Sequence, residues 1–109
     1  MIEHIIHEDG REEWLYQGLS HRTDGPAVIH PNGVQFWCIE GEYHREDGPA
    51  VIYPDGYQAW YIFGERHRED GPAVIHPNGK KEWWINDLPY NEDEFVFYIK
   101  FDHDIKDGF

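Results

Sequence analysis

One motif recurs through this chain at a fixed interval. "HREDGPAVI" stands at His44–Ile52 and again at His67–Ile75, and "HRTDGPAVI" stands at His21–Ile29. The interval is 23 residues, from His21 to His44 to His67. Gly10, Gly33, Gly56 and Gly79 keep it, and so do Trp14, Trp37, Trp60 and Trp83. Self-similarity at a short period means one small supersecondary unit stacked on itself. The 109 residues therefore read as a single repeat domain: a partial unit (1–20), three full units (21–43, 44–66 and 67–89) and a tail (90–109) that breaks the period.

Each unit carries a turn: "HPNG" at 30–33 and 76–79, "YPDG" at 53–56 and "HEDG" at 7–10. Proline presets φ for the second turn position, Asn or Asp follows easily, and Gly takes the left-handed conformation. This order predicts a three-residue hairpin loop closed by a glycine bulge. That loop fixes the register: His30 faces Val34, Ile29 faces Gln35 and Ala27 faces Trp37. Strand side chains alternate with period two. One face then carries Ala27, Ile29, Trp37 and Ile39, with Ala50, Ile52, Trp60, Ile62 and Ala73, Ile75, Trp83, Ile85 as its copies. This uniform apolar stripe is the expected core. The opposite face is mixed and varies between copies: Phe36, Ala59, Glu82 at one place and Cys38, Tyr61, Trp84 at another. It is either a contact surface or a half-wet sheet face with scattered aromatics.

The tail starts with a helix signature. Asn91 is an N-cap candidate, Glu94 holds the capping-box position, and Glu92, Asp93 and Glu94 suit the positive end of a helix dipole. Phe95, Tyr98 and Ile99 form an i, i+3, i+4 stripe. A short helix closing the last hairpin is the simplest role, with a docking helix for a partner as the alternative. Residues 102–109 read as a strand or a frayed end.

The repeated His, Arg and Asp invite a catalytic or metal reading, and the spacing argues against both. If each unit adds two strands, equivalent residues lie about 9–10 Å apart, whereas zinc ligands converge to ~2 Å from one centre. His21, His44 and His67 cannot share an ion. No Gly-rich phosphate loop is present, and Ser20 and Cys38 sit in no nucleophile motif. The expectation is no catalytic residue, no metal and no cofactor. Asp24-Gly25-Pro26, Asp47-Gly48-Pro49 and Asp70-Gly71-Pro72 read instead as structural corners. Asp stabilises a bend through nearby backbone N–H groups, and a residue before Pro is held extended. Arg22, Arg45 and Arg68 are placed to pair with these Asp residues, and His to donate to a carbonyl.

The form "HREDGPAVI…NG…W" resembles MORN-like repeats of the divergent kind found in phage and giant-virus proteins. The resemblance covers about residues 4–90, and "LPYNEDEF" looks like the short helix that ends such arrays. It implies an all-β fold: a meandering single-layer antiparallel sheet of about four 23-residue hairpin repeats, capped by a C-terminal α-helix. It also implies a surface used for protein contacts. The usual Gly-x-Gly portion of a MORN unit is replaced here by Arg-Glu-Asp-Gly-Pro.

Charge sets the partner class. The chain has 22 acids, 9 bases and a net charge of −13, and the excess is spread over units and tail. Such a chain repels nucleic acid and anionic lipid. The acidity either serves solubility alone or matches a basic partner. One Cys rules out an internal disulfide and suits a reduced, cytoplasmic setting, host cytoplasm for a viral protein. No apolar run approaches the length of a membrane span, and the N-terminus shows no signal peptide. The expected function is a non-enzymatic viral accessory protein that inhibits a host protein by occupying its basic surface. Phe36, Tyr53, Tyr61, Phe63, Trp84, Glu82, Glu92, Asp93 and Glu94 are the candidate contact residues. Sequestration of a nucleotide-type molecule and a purely structural role are the alternatives. A homodimer that buries the Trp/Ile stripe is a further expectation.

Overall fold

Every unit reverses direction twice, and the two reversals follow different turn rules. A computed structural model describes residues 1–102. β1 (Ile2–Ile6) and β2 (Glu12–Tyr16) form the first hairpin, and β3 (Leu19–Ser20) folds back on the far end of β2. The next unit supplies β4 (Val28–Ile29), β5 (Gln35–Phe36), β6 (Cys38–Ile39) and β7 (Glu42–Tyr43). β8 (Val51–Ile52), β9 (Gln58–Ala59), β10 (Tyr61–Ile62) and β11 (Glu65–Arg66) repeat it. The last unit supplies β12 (Val74–Ile75), β13 (Lys81–Ile85) and β14 (Leu88–Tyr90). One antiparallel meander runs β1-β2-β4-β5-β8-β9-β12-β13-β14, while β6-β7 and β10-β11 form separate two-stranded ladders. The fold is mainly β, as the repeat implies.

The first reversal is the three-residue loop. The His30 N–H donates to the Val34 carbonyl at 2.9 Å, and the Gly33 N–H to the His30 carbonyl at 3.0 Å. Gly33 sits at φ 96°, which explains why every copy ends in Gly. The Asn32 side chain accepts the Val34 N–H, and Asp9, Asp55 and Asn78 do the same in their copies. The expected register follows: Ile29 pairs with Gln35 and Val28 with Phe36.

The second reversal lies outside the sequence expectation. Gln17-Gly18, Glu40-Gly41, Phe63-Gly64 and Asn86-Asp87 are two-residue turns with positive φ at both positions, 48° and 84° at Glu40 and Gly41. This is the mirror-image turn whose twist matches paired strands. Each full unit thus holds two hairpins rather than one. Phe63, one of the candidate contact residues, occupies such a turn rather than a strand.

The core also departs from expectation. The fully covered Ala27, Ala50 and Ala73 do lie on the Trp/Ile face, but Trp37, Trp60 and their Ile neighbours are only half-buried. The main apolar cluster forms on the variable face, around Val51, Ala59 and Val74. Phe36, Tyr57, Tyr61 and Trp84 close over these small residues. At Trp14, Trp37 and Trp60 the reason is the guanidinium that lies over the ring. In the last unit Ile85, on the same face, is buried.

The tail behaves as read. α1 (Glu92–Phe97) starts at Asn91, whose side chain accepts the Glu94 N–H at 2.8 Å while the Glu94 carboxylate accepts the Asn91 N–H at 2.9 Å. A π-helical turn, Tyr98–Asp102, follows. Phe95 is buried where the helix packs on β13 and β14, which closes that end of the sheet. The reading of residues 103–109 lies outside the described residues.

Candidate functional site

The HRxDGP motif was the first candidate, and its side chains are all committed to the scaffold. Arg45 Nε donates to Asp47 Oδ1 at 2.9 Å and Arg45 Nη1 to the Pro49 carbonyl at 3.2 Å. The same guanidinium lies 3.7 Å above the Trp37 ring of the preceding unit. Arg22 over Trp14 and Arg68 over Trp60, both at 3.9 Å, are its copies. Asp47 therefore holds an arginine rather than the backbone N–H groups expected of it. Gly48 has an ordinary backbone, and a Cβ there would stand 2.8 Å from Arg45 Cζ, so glycine is needed to seat the guanidinium.

Histidine is also reassigned. It does not donate to a carbonyl through Nδ1. Nδ1 of His21, His44 and His67 accepts the backbone N–H of Glu40, Phe63 and Asn86, at 2.9, 3.0 and 3.0 Å. Each His thus pins the two-residue turn at the far end of its own unit. Among the described residues no group of three or more His, Cys, Asp or Glu is placed to hold a metal ion.

The variable face is different. Between β5 and β10 it opens into a basin of about 480 Å³ lined by Phe36, Tyr43, Tyr53, Tyr57 and Tyr61, with Val51, Asp55 and Pro77. The rings brace one another. Phe36 stacks on Tyr43 at 5.6 Å and meets Tyr53 edge-on at 6.3 Å. Tyr53 meets Tyr57 at 5.5 Å, and Tyr43 meets Tyr61 at 5.1 Å. Ala59 lies beneath this face, fully covered, at the place that Phe36 fills one unit earlier and Glu82 one unit later, and its small side chain lets Phe36, Tyr57 and Tyr61 pack down over it.

Burial raises the hydroxyl pKa of Tyr43, Tyr57 and Tyr61, so these groups stay protonated and neutral at physiological pH. Among the described residues no Lys, Arg or His lines the basin, although His30 meets Phe36 edge-on and His76 meets Tyr57 edge-on beside it. Asp55 uses one oxygen to accept the Tyr57 N–H and forms no ion pair among the described residues. The site is thus aromatic, uncharged inside and acidic at its edge. Two larger grooves, of about 700 and 610 Å³, lie along the HRxDGP segments. They are copies of each other, and their arginines already cover Trp37 and Trp60, so their size reflects the repeat rather than a distinct site.

Of the residues singled out from sequence, Phe36, Tyr53 and Tyr61 come together in the basin. Tyr43 and Tyr57 were missed. Both depart from their copies, Tyr57 standing where Val34 and Lys80 do and Tyr43 where Arg66 and Pro89 do, which was a usable signal. Trp84 and Glu82 belong to the neighbouring scaffold. Arg66 covers the Trp84 ring at 3.6 Å, the Trp84 N–H donates to Glu82 at 3.0 Å, and His76 lies 2.6 Å from the other Glu82 oxygen. These bonds, His76 foremost, hold the Glu82 carboxyl below its ordinary pKa. Phe63 packs on the His44 ring at 4.0 Å between centroids. Glu92, Asp93 and Glu94 sit on α1, away from the residues that line the basin. Burial pushes the Cys38 thiol up to about 11, which leaves it a poor nucleophile.

The fold and the basin define a class: a β-hairpin repeat array with an aromatic site on its variable face. Compared with protein-family models, characterised proteins and solved structures, the chain finds no match. Among the described residues no helix is long and apolar enough to cross a membrane.

Proposed function

We propose that this protein is a non-enzymatic binding protein that engages a partner with a basic surface. The observation that carries the reading is the basin itself: five aromatic rings around an uncharged interior, with no basic residue in the lining, on a chain of net charge −13. Long-range acidity steers a basic partner toward the protein, and clustered aromatics supply the desolvated contact that holds it. The absence of a cation in the lining weighs against a phosphate-bearing ligand, and so against nucleotide sequestration. The HRxDGPA resemblance supports a viral accessory factor, acting by occupying a host protein. An inactive role for Cys38 and the scaffold roles of His, Arg and Asp fit a protein without catalysis.

The test is affinity capture from host lysate with the wild-type protein and with Tyr53→Ala, at low and high salt. Tyr53 lies outside the buried cluster of Val51, Ala59 and Val74, and the melting temperature of the variant checks that the fold is kept. The reading expects one basic protein captured by the wild type, released by salt and lost with Tyr53→Ala. Equal capture by both proteins would remove the basin from the function.

A further inference from the structure

We propose that the aromatic basin is a cage for an alkylated ammonium cation. This rests on the reading that the variable face carries the binding function, and it names the chemical group that enters. Ring geometry selects the shape of that group. Phe36 and Tyr53 meet at 79°, Tyr53 and Tyr57 at 88°, and Tyr43 and Tyr61 at 59°. A planar base needs parallel rings on its two sides. The near-parallel pair, Phe36 and Tyr43 at 21°, is stacked on itself at 5.6 Å and leaves no slot. Steeply inclined walls instead surround a compact, rounded group.

Electrostatics selects its sign. Aromatic faces carry negative quadrupole density and attract cations, most of all where water is excluded. Nothing in the lining competes, because among the described residues it holds no Lys, Arg or His. Asp55 adds a full negative charge at the rim and has no ion-pair partner among the described residues. Arg66, whose charge acts on Tyr57 and Tyr61, is turned onto Trp84 and Asp87, and His76, which meets Tyr57 edge-on, is bonded to Glu82.

Hydration selects the degree of alkylation. A primary ammonium is a strongly hydrated point charge and gives up its water at a cost. The lining is mostly ring faces with Val51 and Pro77, on which methyl groups pack, and this suits a head group whose methyl groups have replaced its N–H bonds. The basin is also local to one unit. At its key places the other units carry His30 and His76 for Tyr53, and Val34 and Lys80 for Tyr57.

The test is titration with choline, followed by the tyrosine ring resonances, beside 3,3-dimethylbutan-1-ol, a neutral carbon isostere of the same shape. The cage expects saturable choline binding roughly tenfold or more tighter than the isostere. N-trimethyllysine amide forms a second arm, and its affinity relative to choline tells whether the cation arrives on a protein side chain or on a small molecule. Tyr57→Lys places the residue of the last unit in the basin, and its own ammonium should abolish choline binding. Asp55→Asn keeps the turn, because Asn32 and Asn78 make the same bond, and should weaken choline several-fold but not the isostere. Equal binding of choline and isostere, or no saturable choline binding by the folded wild type, overturns the cage. Salt-sensitive capture of a basic partner that survives such a result would leave the broader binding function standing.

Discussion

The guanidinium of Arg45 lies 3.7 Å above the indole of Trp37, so the motif of one unit seals the strand of the unit before it. The same guanidinium bonds Asp47 and the Pro49 carbonyl, which makes Arg45 the joint between units. Arg45→Ala should lower stability by about 2–3 kcal/mol, from the lost ring contact and the unpaired carbonyl. Arg45→Lys should recover little of it, because an ammonium has no planar fork to make these contacts together. Urea denaturation measures both, and a loss below about 0.5 kcal/mol for Arg45→Ala would show that the joint does not hold the array.

Gly48→Ala should act through Arg45 rather than through the backbone. The new Cβ would stand 2.8 Å from Arg45 Cζ, and the backbone of Gly48 is not in the left-handed region. Most of its cost should therefore vanish in an Arg45→Ala background, with a coupling of about 1 kcal/mol or more in the double-mutant cycle. Additive effects would mean that the glycine serves another purpose.

Asp47→Ala should cost less than Arg45→Ala. The carboxylate is 83% exposed, and an exposed pair contributes only about 0–1 kcal/mol. Partner capture should be unchanged. A melting temperature at the wild-type value together with lost capture would reverse the structural reading of the motif.

His44→Ala should release the Phe63 turn. It strips the Phe63 N–H of its acceptor, at a cost of about 0.5–1.5 kcal/mol. Amide exchange at Phe63 should speed up while exchange at Ala59 and Val74, in the central ladder, changes only with global stability. Unchanged exchange at Phe63 would contradict the pinning role.

Acid should destabilise the array. The carboxyls of Glu82, Asp70 and Asp87 are held below their ordinary values by hydrogen bonds from His76, Arg68 and Arg66 respectively. A depressed folded-state pKa means stability that is complete above the unfolded value and lost as pH falls through the folded one. For Glu82 the loss begins below its unperturbed value of 4.5. Glu82→Gln should flatten the fall in melting temperature below that pH, and an unchanged slope would assign acid sensitivity to other groups.

The turn at Pro-Asn-Gly, its register and the capped helix were all legible, because each rests on local rules: proline's fixed φ, glycine's positive φ and the side-chain caps of Asn91 and Glu94. The two-residue turns were less visible. Glycines 18, 41 and 64 keep the interval, but Gln17, Glu40 and Phe63 beside them are not typical of positive φ. The Trp/Ile stripe misled for a different reason. Periodicity reports which residues share a face, not what covers that face.

By itself the sequence determined the unit length, the first hairpin of each unit, the terminal helix and the acidity. These follow from the nearest neighbours of each residue and from simple summation of charge. The tertiary structure alone decided that Arg45 would cover Trp37, that His44 would reach a turn 19 residues away, and that Phe36, Tyr43, Tyr53, Tyr57 and Tyr61 would ring a single basin. The arginine contact and the basin join different units, while the histidine contact spans one unit from its first residue to its second turn, and all three depend on how each sheet segment is packed beside the next. Ala59 shows the limit most plainly: in the sequence it is a small residue in a strand, and only its packed neighbours Phe36, Tyr57, Tyr61 and Trp84 make it part of the core.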